Sequence, residues 1–299
     1  MKKITLLITL CFLFSLSHIF PLENNTKKIH EPENLQIFRK AYPDIIFNSE
    51  YDESQNDWKI TILNNNKKFI FYWNNGSFIP PEEMIYKNEY WTLLYNYDYK
   101  KPLIDPSTYS NEKIEHLKNF SSAENRKNGK GTPMFFFDAI YDSFTRASVE
   151  KHIVNINFLG FSVNVHERLV TPLSEVEKRI NQEASKDAQI KVFLKTLNKN
   201  EGYFWRIIAG TNRKSFHSLG IALDIQPKSY NGKEVYWSWA KDKNPKNWMF
   251  TKLSDRWMPP QKIIDIFEEE GFIWGGKWTI WDNMHFEYHP ELILFNKEK

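Results

Sequence analysis

The stretch RKSFHSLGIALDIQP (residues 213–227) decides how the fold is read. Ile221, Leu223 and Ile225 alternate as the buried face of a strand, so Ala222 and Asp224 share the opposite face. Gly220 permits a tight turn or a close backbone approach just before that strand, and lets His217 fold back toward Asp224. Burying either polar residue without a partner is costly. They are therefore either hydrogen-bonded core groups or ligands of a metal ion.

A second stretch, WDNMHFEYHP (residues 281–290), narrows the choice. Met284, Phe286 and Tyr288 alternate inward, His285, Glu287 and His289 face the other way, and Asp282 stands three residues before His285. Catalytic zinc typically takes three His, Asp or Glu ligands and keeps one position open. His217, Asp224 and His285 supply such a set for one zinc ion, with Asp282 as a carboxylate base. Glu287 suits a supporting role, orienting a ligand histidine. Trp278 and Trp281 suit the walls of a cleft. Ser215 lacks a His-Asp relay of its own and is expected to hold the turn or reach substrate. His166 and His289 read as ordinary polar residues. On spacing alone the bland reading stays open, with Asp224 a turn former and His285 a polar residue on a half-exposed strand.

Outward from these stretches, SEVEKRINQEASKDAQIKVFLKTLNK (174–199) reads as helical, with Ser174 and Glu177 spaced as a capping box behind Pro172. PPQKIIDIFEEEG (259–271) reads as a helix with proline at its start and Gly271 past its end. Strands are expected near 153–158, 161–166, 204–209, 220–226 and 284–288. Residues 58–63 and 68–73 form a hairpin pattern around an Asn-Lys turn. Helices and strands do not alternate regularly, which favours an α+β fold over a doubly wound sheet. The polar run 107–131 is the best linker candidate, although Ile114 and Leu117 would share one face of a short helix. The expected division is thus 18–130, an N-terminal α/β region of unassigned role, and 131–299, the catalytic domain.

Composition limits the function classes. The 299 residues carry 40 basic and 37 acidic groups, a net charge of +3 with no basic stripe, so nucleic acid is not an expected partner. MKKITLLITLCFLFSLS (1–17) has two lysines, a short apolar run and small residues at its end, the pattern of a cleaved signal peptide. Export to the periplasm or cell envelope is expected, with no stable membrane span in the mature, monomeric protein. The single cysteine, Cys11, lies in that segment, so a disulfide framework and a catalytic thiolate are not expected. Its surroundings do not favour lipidation.

Together, S-x-H-x-x-G-x-A-x-D (Ser215, His217, Gly220, Ala222, Asp224), M-H-F-E-Y (284–288) and WGGKW (274–278) closely resemble the VanY-type zinc D,D-carboxypeptidases and their L-alanyl-D-glutamate endopeptidase relatives. The resemblance spans about residues 150–295. It implies a small, mostly antiparallel sheet flanked by helices, and hydrolysis of a bond in bacterial cell-wall stem peptides or similar D-amino-acid peptides. It also implies His217, Asp224 and His285 as zinc ligands and Asp282 as base. An arginine upstream of the first motif would stabilise the oxyanion; Arg206 fits better than its rival, Arg213. A D,D- or L,D-carboxypeptidase is the favoured reading. An L-Ala-D-Glu endopeptidase and a non-catalytic peptidoglycan-binding protein of the same fold are the alternatives.

Overall fold

The computed structural model describes residues 30–298; the expected signal segment 1–17 and Cys11 lie outside them. Three antiparallel sheets are formed among the described residues. The first holds β1 (Ile46–Asp52), β2 (Asp57–Asn64), β3 (Lys67–Trp73) and β4 (Phe78–Ile79), in that order. β5 (Ile153–Phe158) and β6 (Phe161–His166) make a hairpin. The third sheet comprises β7 (Leu197–Glu201), β8 (Ala222–Pro227), β9 (Phe272–Trp274) and β10 (His285–Tyr288), in the order β7-β8-β10-β9. With helices packed around these sheets, the fold is α+β, as the irregular alternation of elements suggests.

The site sheet is held by its apolar face. β10 runs antiparallel to β8 with His285 opposite Asp224 and Phe286 opposite Leu223. Leu223, Ile225 and Phe286 are fully buried with Ile263, Ile264 and Phe267 of the helix Gln261–Glu269. The rings of Phe286 and Phe267 stack at 4.1 Å. That helix follows Pro260 and ends before Gly271, whose φ of 93° few side chains tolerate.

In the first sheet, the β2–β3 hairpin turns through Asn65 and Asn66, both left-handed (φ 48° and 61°). Two such residues suit the twist of a two-residue hairpin, and asparagine tolerates the conformation. The inner face of this sheet does not close on itself. Phe78 stacks on Phe136 at 4.6 Å, and Phe38 meets both rings edge-on. Phe136 belongs to the helix Phe135–Tyr141, and its neighbour Phe137 packs edge-on against Phe216 at 5.1 Å. Residues Glu31–Lys299 form one compact unit, so the expected boundary near residue 130 separates sequence textures and not packing units.

Four local expectations change. The 107–131 run is no linker: it holds helices Asn111–Phe120 and Ala123–Asn128, each capped by a serine, and Leu117 is buried with Trp237, Trp248 and Trp281. The helix expected from Ser174 begins at Val170, running straight on from a 3-10 turn, with Pro172 tolerated in its first turn. Glu177 then caps nothing and accepts the Leu159 N–H of the β5–β6 turn at 2.6 Å. The helical pattern stops at Thr196 after a break at residues 185–187, because 197–201 instead pairs with β8. Residues 204–209 form no strand. They fold back on 213–218, with Ser215 N–H donating to Arg206 O at 3.1 Å and Ile208 N–H to Arg213 O at 2.8 Å.

Phe136→Ala is expected to destabilise the protein by about 3–5 kcal/mol. Because the core is continuous, tryptophan fluorescence and far-UV circular dichroism should report one coincident urea transition. Separate transitions for the two sheets would contradict the shared core.

Candidate metal centre

The site is assembled by one turn and one strand pair. Ser215 caps the short 3-10 turn Phe216–Leu219, its hydroxyl accepting the His217 N–H at 3.3 Å. Gly220 ends that turn at φ 71°, and a Cβ there would lie 2.7 Å from the backbone nitrogen of His166. Only glycine permits both the angle and the approach. The chain then enters β8 with Asp224 on the side that His217 faces, and β10 brings His285 beside Asp224.

All three residues are less than a tenth exposed. His285 Nδ1 lies 2.7 Å from Asp224 Oδ1, His217 Nε2 lies 3.3 Å from Asp224 Oδ2, and the two ring nitrogens are 3.3 Å apart. One ligand atom from each of the three lies within 4.8 Å of the others, so the trio could hold a metal ion. The nitrogens facing away are engaged: His217 Nδ1 meets Gly202 O at 2.6 Å, and His285 Nε2 meets Glu287 Oε1 at 2.9 Å. Each outer bond fixes the tautomer that turns the other nitrogen's lone pair inward, the arrangement usual for metal-ligating histidines.

Electrostatics favour the same occupant. Burial alone would push Asp224 up, but the charges of His285 and His217 hold its carboxyl well below the usual range. Burial would push His285 down, yet Asp224 and Glu287 raise it well above an ordinary histidine. Without metal, a proton held on His285 offsets the Asp224 charge, and a divalent cation between the side chains would take that proton's place. A mixed nitrogen and carboxylate donor set suits zinc among first-row ions.

Asp282 sits beside this cluster. It follows the glycine pair of WGGKW, and its N–H donates to Gly275 O at 3.0 Å. A Cβ at Gly275 would lie 2.6 Å from Asp282 O, so this close approach also requires glycine. The Asp282 carboxyl is buried, and its Oδ1 has no hydrogen-bond partner. Burial raises its pKa to about 7, with His285 pulling it down and the Asp224 charge pushing it up. A carboxyl that titrates near neutrality is suited to take up and return a proton.

The other sequence candidates separate. Ser215 holds the turn. Trp278 lies against His285, ring centroids 5.2 Å apart, whereas Trp281 packs in the core beneath Arg256; the indole nitrogens of both are buried and unpartnered. The guanidinium of Arg213 donates to the carbonyls of Lys130 and Arg126 at 2.6 and 2.9 Å. Arg206 is half-buried on the folded-back segment, and its charge, like those of Asp282 and Arg126, acts on the hydroxyl of half-buried Tyr236. Glu287 bridges His285 and His289; burial pushes it up, but those two hydrogen bonds hold it at about 2. His166 is a neutral core histidine bonded to Tyr141 O, burial pushing its pKa to about 4.

His289 is not an ordinary polar residue. It lies buried between Glu287 and Glu291, and their charges and hydrogen bonds overcome burial to raise it to about 9. Sequence reasoning also missed Tyr230, whose hydroxyl donates to Met284 Sδ at 3.6 Å. Its pKa is pushed to about 12 by burial and by the Asp224 and Asp282 charges. Its segment, KSYNGKEVYW, has the texture of a surface loop, so no local pattern marks it.

An antiparallel sheet presenting a buried His-Asp-His cluster, with a neutralisable carboxyl beside it, defines a candidate metal-site hydrolase. Comparison with known families agrees with that class. Residues 209–288 match a family described as D-alanyl-D-alanine carboxypeptidase, which supports cell-wall peptidase chemistry in general terms. The matched span is narrower than the 150–295 of the motif resemblance, and it contains His217, Asp224, Asp282 and His285 but not Arg206. Residues 34–94 match a domain of unknown function. No curated protein and no solved structure matches the chain.

The raised pKa of Asp282 has a stability consequence in metal-free protein. The folded state keeps the proton between about pH 4 and 7 while the unfolded chain has lost it, so this group's contribution falls as pH rises through that window. Asp282→Asn, which mimics the protonated carboxyl, should match wild type near pH 4 and melt at a higher temperature at pH 8. Thermal melts across that range, with metal removed, read the difference; a gap that does not grow with pH would contradict the assignment.

Proposed function

We propose that the protein is a zinc-dependent carboxypeptidase that cuts a D,D or L,D peptide bond in bacterial cell-wall stem peptides. The observation that carries this reading is the buried His217-Asp224-His285 cluster with Asp282 beside it, inside the segment that matches the carboxypeptidase family. The apolar segment at residues 4–16 supports export, and the periplasm or cell envelope, where the substrate lies, is the proposed compartment. No helix among the described residues is long and apolar enough to cross a membrane.

In the proposed reaction His217, Asp224 and His285 hold zinc, which supplies a Lewis acid and makes water more acidic. Asp282, beside the cluster, takes the proton from the attacking water and passes it to the leaving amine nitrogen. Glu287 keeps His285 in the tautomer that turns Nδ1 toward the cluster. Arg206 donates to the substrate carbonyl oxygen as negative charge develops there; loss of one such donor typically costs about 3–4 kcal/mol of transition-state stabilisation. Trp278 walls the site beside His285.

Purified protein incubated with stem peptides should release D-alanine in the presence of zinc and not after chelation, read by mass spectrometry. Asp282→Ala should lower kcat about 10²- to 10⁴-fold with zinc still bound. Full turnover after chelation, or in Asp282→Ala, would overturn the mechanism. Cleavage between L-Ala and D-Glu would keep the chemistry and replace the carboxypeptidase by an endopeptidase, and stem-peptide binding without cleavage would leave a peptidoglycan-binding protein.

A further inference from the structure

Behind His285 a line of buried polar groups leads away from the cluster into the N-terminal layer. Glu287 divides its two oxygens, Oε1 at 2.9 Å from His285 Nε2 and Oε2 at 3.2 Å from His289 Nε2. His289 Nδ1 lies 2.8 Å from Glu291 Oε1, and Glu291 Oε2 accepts the Tyr42 hydroxyl at 2.7 Å. Tyr42 ends the helix Leu35–Ala41, within the stretch that matches a domain of unknown function.

We propose that Tyr42 is the outer anchor of a positioning chain, Tyr42–Glu291–His289–Glu287–His285, that sets the orientation of His285 and hence the affinity of the centre for its divalent ion. The inference rests on the metal reading of the site and adds a role for the N-terminal layer.

Three observations carry it. Every member engages both of its polar side-chain positions, or its single hydroxyl, with the next group, so no carboxylate or ring can rotate without breaking a bond on its far side. Tyr42, Glu287, Glu291, His285 and His289 are each less than a tenth exposed, so solvent is largely excluded as a substitute partner. Donor directions are fixed at both ends: the Tyr42 hydroxyl donates to Glu291, and Glu287 accepts from His285 Nε2, which directs Nδ1 toward Asp224. The ring of His289 is also held from the sides, edge-on to Phe137 at 5.2 Å and to Phe216 at 4.8 Å. A chain built this tightly transmits a change at one end to the other, as buried hydrogen-bond networks do.

Tyr42→Phe in the full chain tests the proposal, since it removes one oxygen and keeps the ring packed on Phe136. Loss of a partner directly behind a metal ligand typically weakens metal binding about 10- to 100-fold. Tyr42 stands three groups further out, so an increase of roughly three- to tenfold in the zinc dissociation constant is expected, read by competition with a chromophoric chelator. The visible spectrum of the cobalt-substituted protein should shift with it. Phe47→Leu is the control: Phe47 also packs on Phe136 in the N-terminal core but belongs to no part of the chain. It should bind zinc as wild type does. Unchanged affinity and spectrum in Tyr42→Phe, or equal weakening in Phe47→Leu, would overturn the positioning role while leaving the metal site standing. Failure of the wild-type protein to bind a divalent ion would overturn the metal reading and this inference with it.

Discussion

The register of β10 against β8 is the constraint on which the site depends. His285 opposes Asp224 and Phe286 opposes Leu223, so one face of the pair carries the cluster and the other carries the core. Side chains alternate along a strand, and a slip of one residue would exchange the two sets. His285 would then enter the apolar packing around Phe267, and Phe286 would fill the polar cleft. The 4.1 Å stack of Phe286 on Phe267 is therefore part of what keeps His285 beside Asp224. Core packing and site geometry are here one specification.

The same face concentrates buried polar groups that are stable only as a set. Asp224, Glu287 and Glu291 are buried carboxylates, and each is paired with a histidine. Removing one partner from such a set leaves a charge in a low-dielectric setting, which costs far more than the pair contributes. The exception is Asp282, whose Oδ1 has no partner and whose pKa burial raises to about 7. A carboxyl with one oxygen unpartnered, among several paired with histidines, suits a group that exchanges a proton.

The central elements were legible because their signals are local. Gly220 before an alternating strand placed His217 over Asp224, and the pattern of MHFEY placed His285 and Glu287 on one face; the structure brings the four together. Elements whose identity depends on distant partners were not legible. Residues 197–201 continue a helical pattern and become β7 only because β8 offers an open edge. The polar texture of 107–131 suggests a linker, yet Leu117 finds a tryptophan cluster contributed by residues 237–281. His289 looked ordinary although its direct partners, Glu287 and Glu291, are each two residues away; the group that completes their set, the Tyr42 hydroxyl on Glu291, stands 249 positions from Glu291 in sequence.

Two lines of contact run from the N-terminal layer to His217 and His285, and they differ in kind. An aromatic line, Phe78–Phe136–Phe137–Phe216, ends on the residue next to His217. A polar line, Tyr42–Glu291–His289–Glu287, ends on His285. They touch at His289, which both Phe137 and Phe216 clasp edge-on. Apolar packing limits where a ring sits but only weakly limits its rotation, whereas a hydrogen-bond chain limits rotation and depends on packing to exclude water. A pre-organised ligand set needs both restraints, since rings free to turn would have to be ordered on binding. The layer spanning residues 34–94 contributes to each, which gives it a physical reason to share a core with the site.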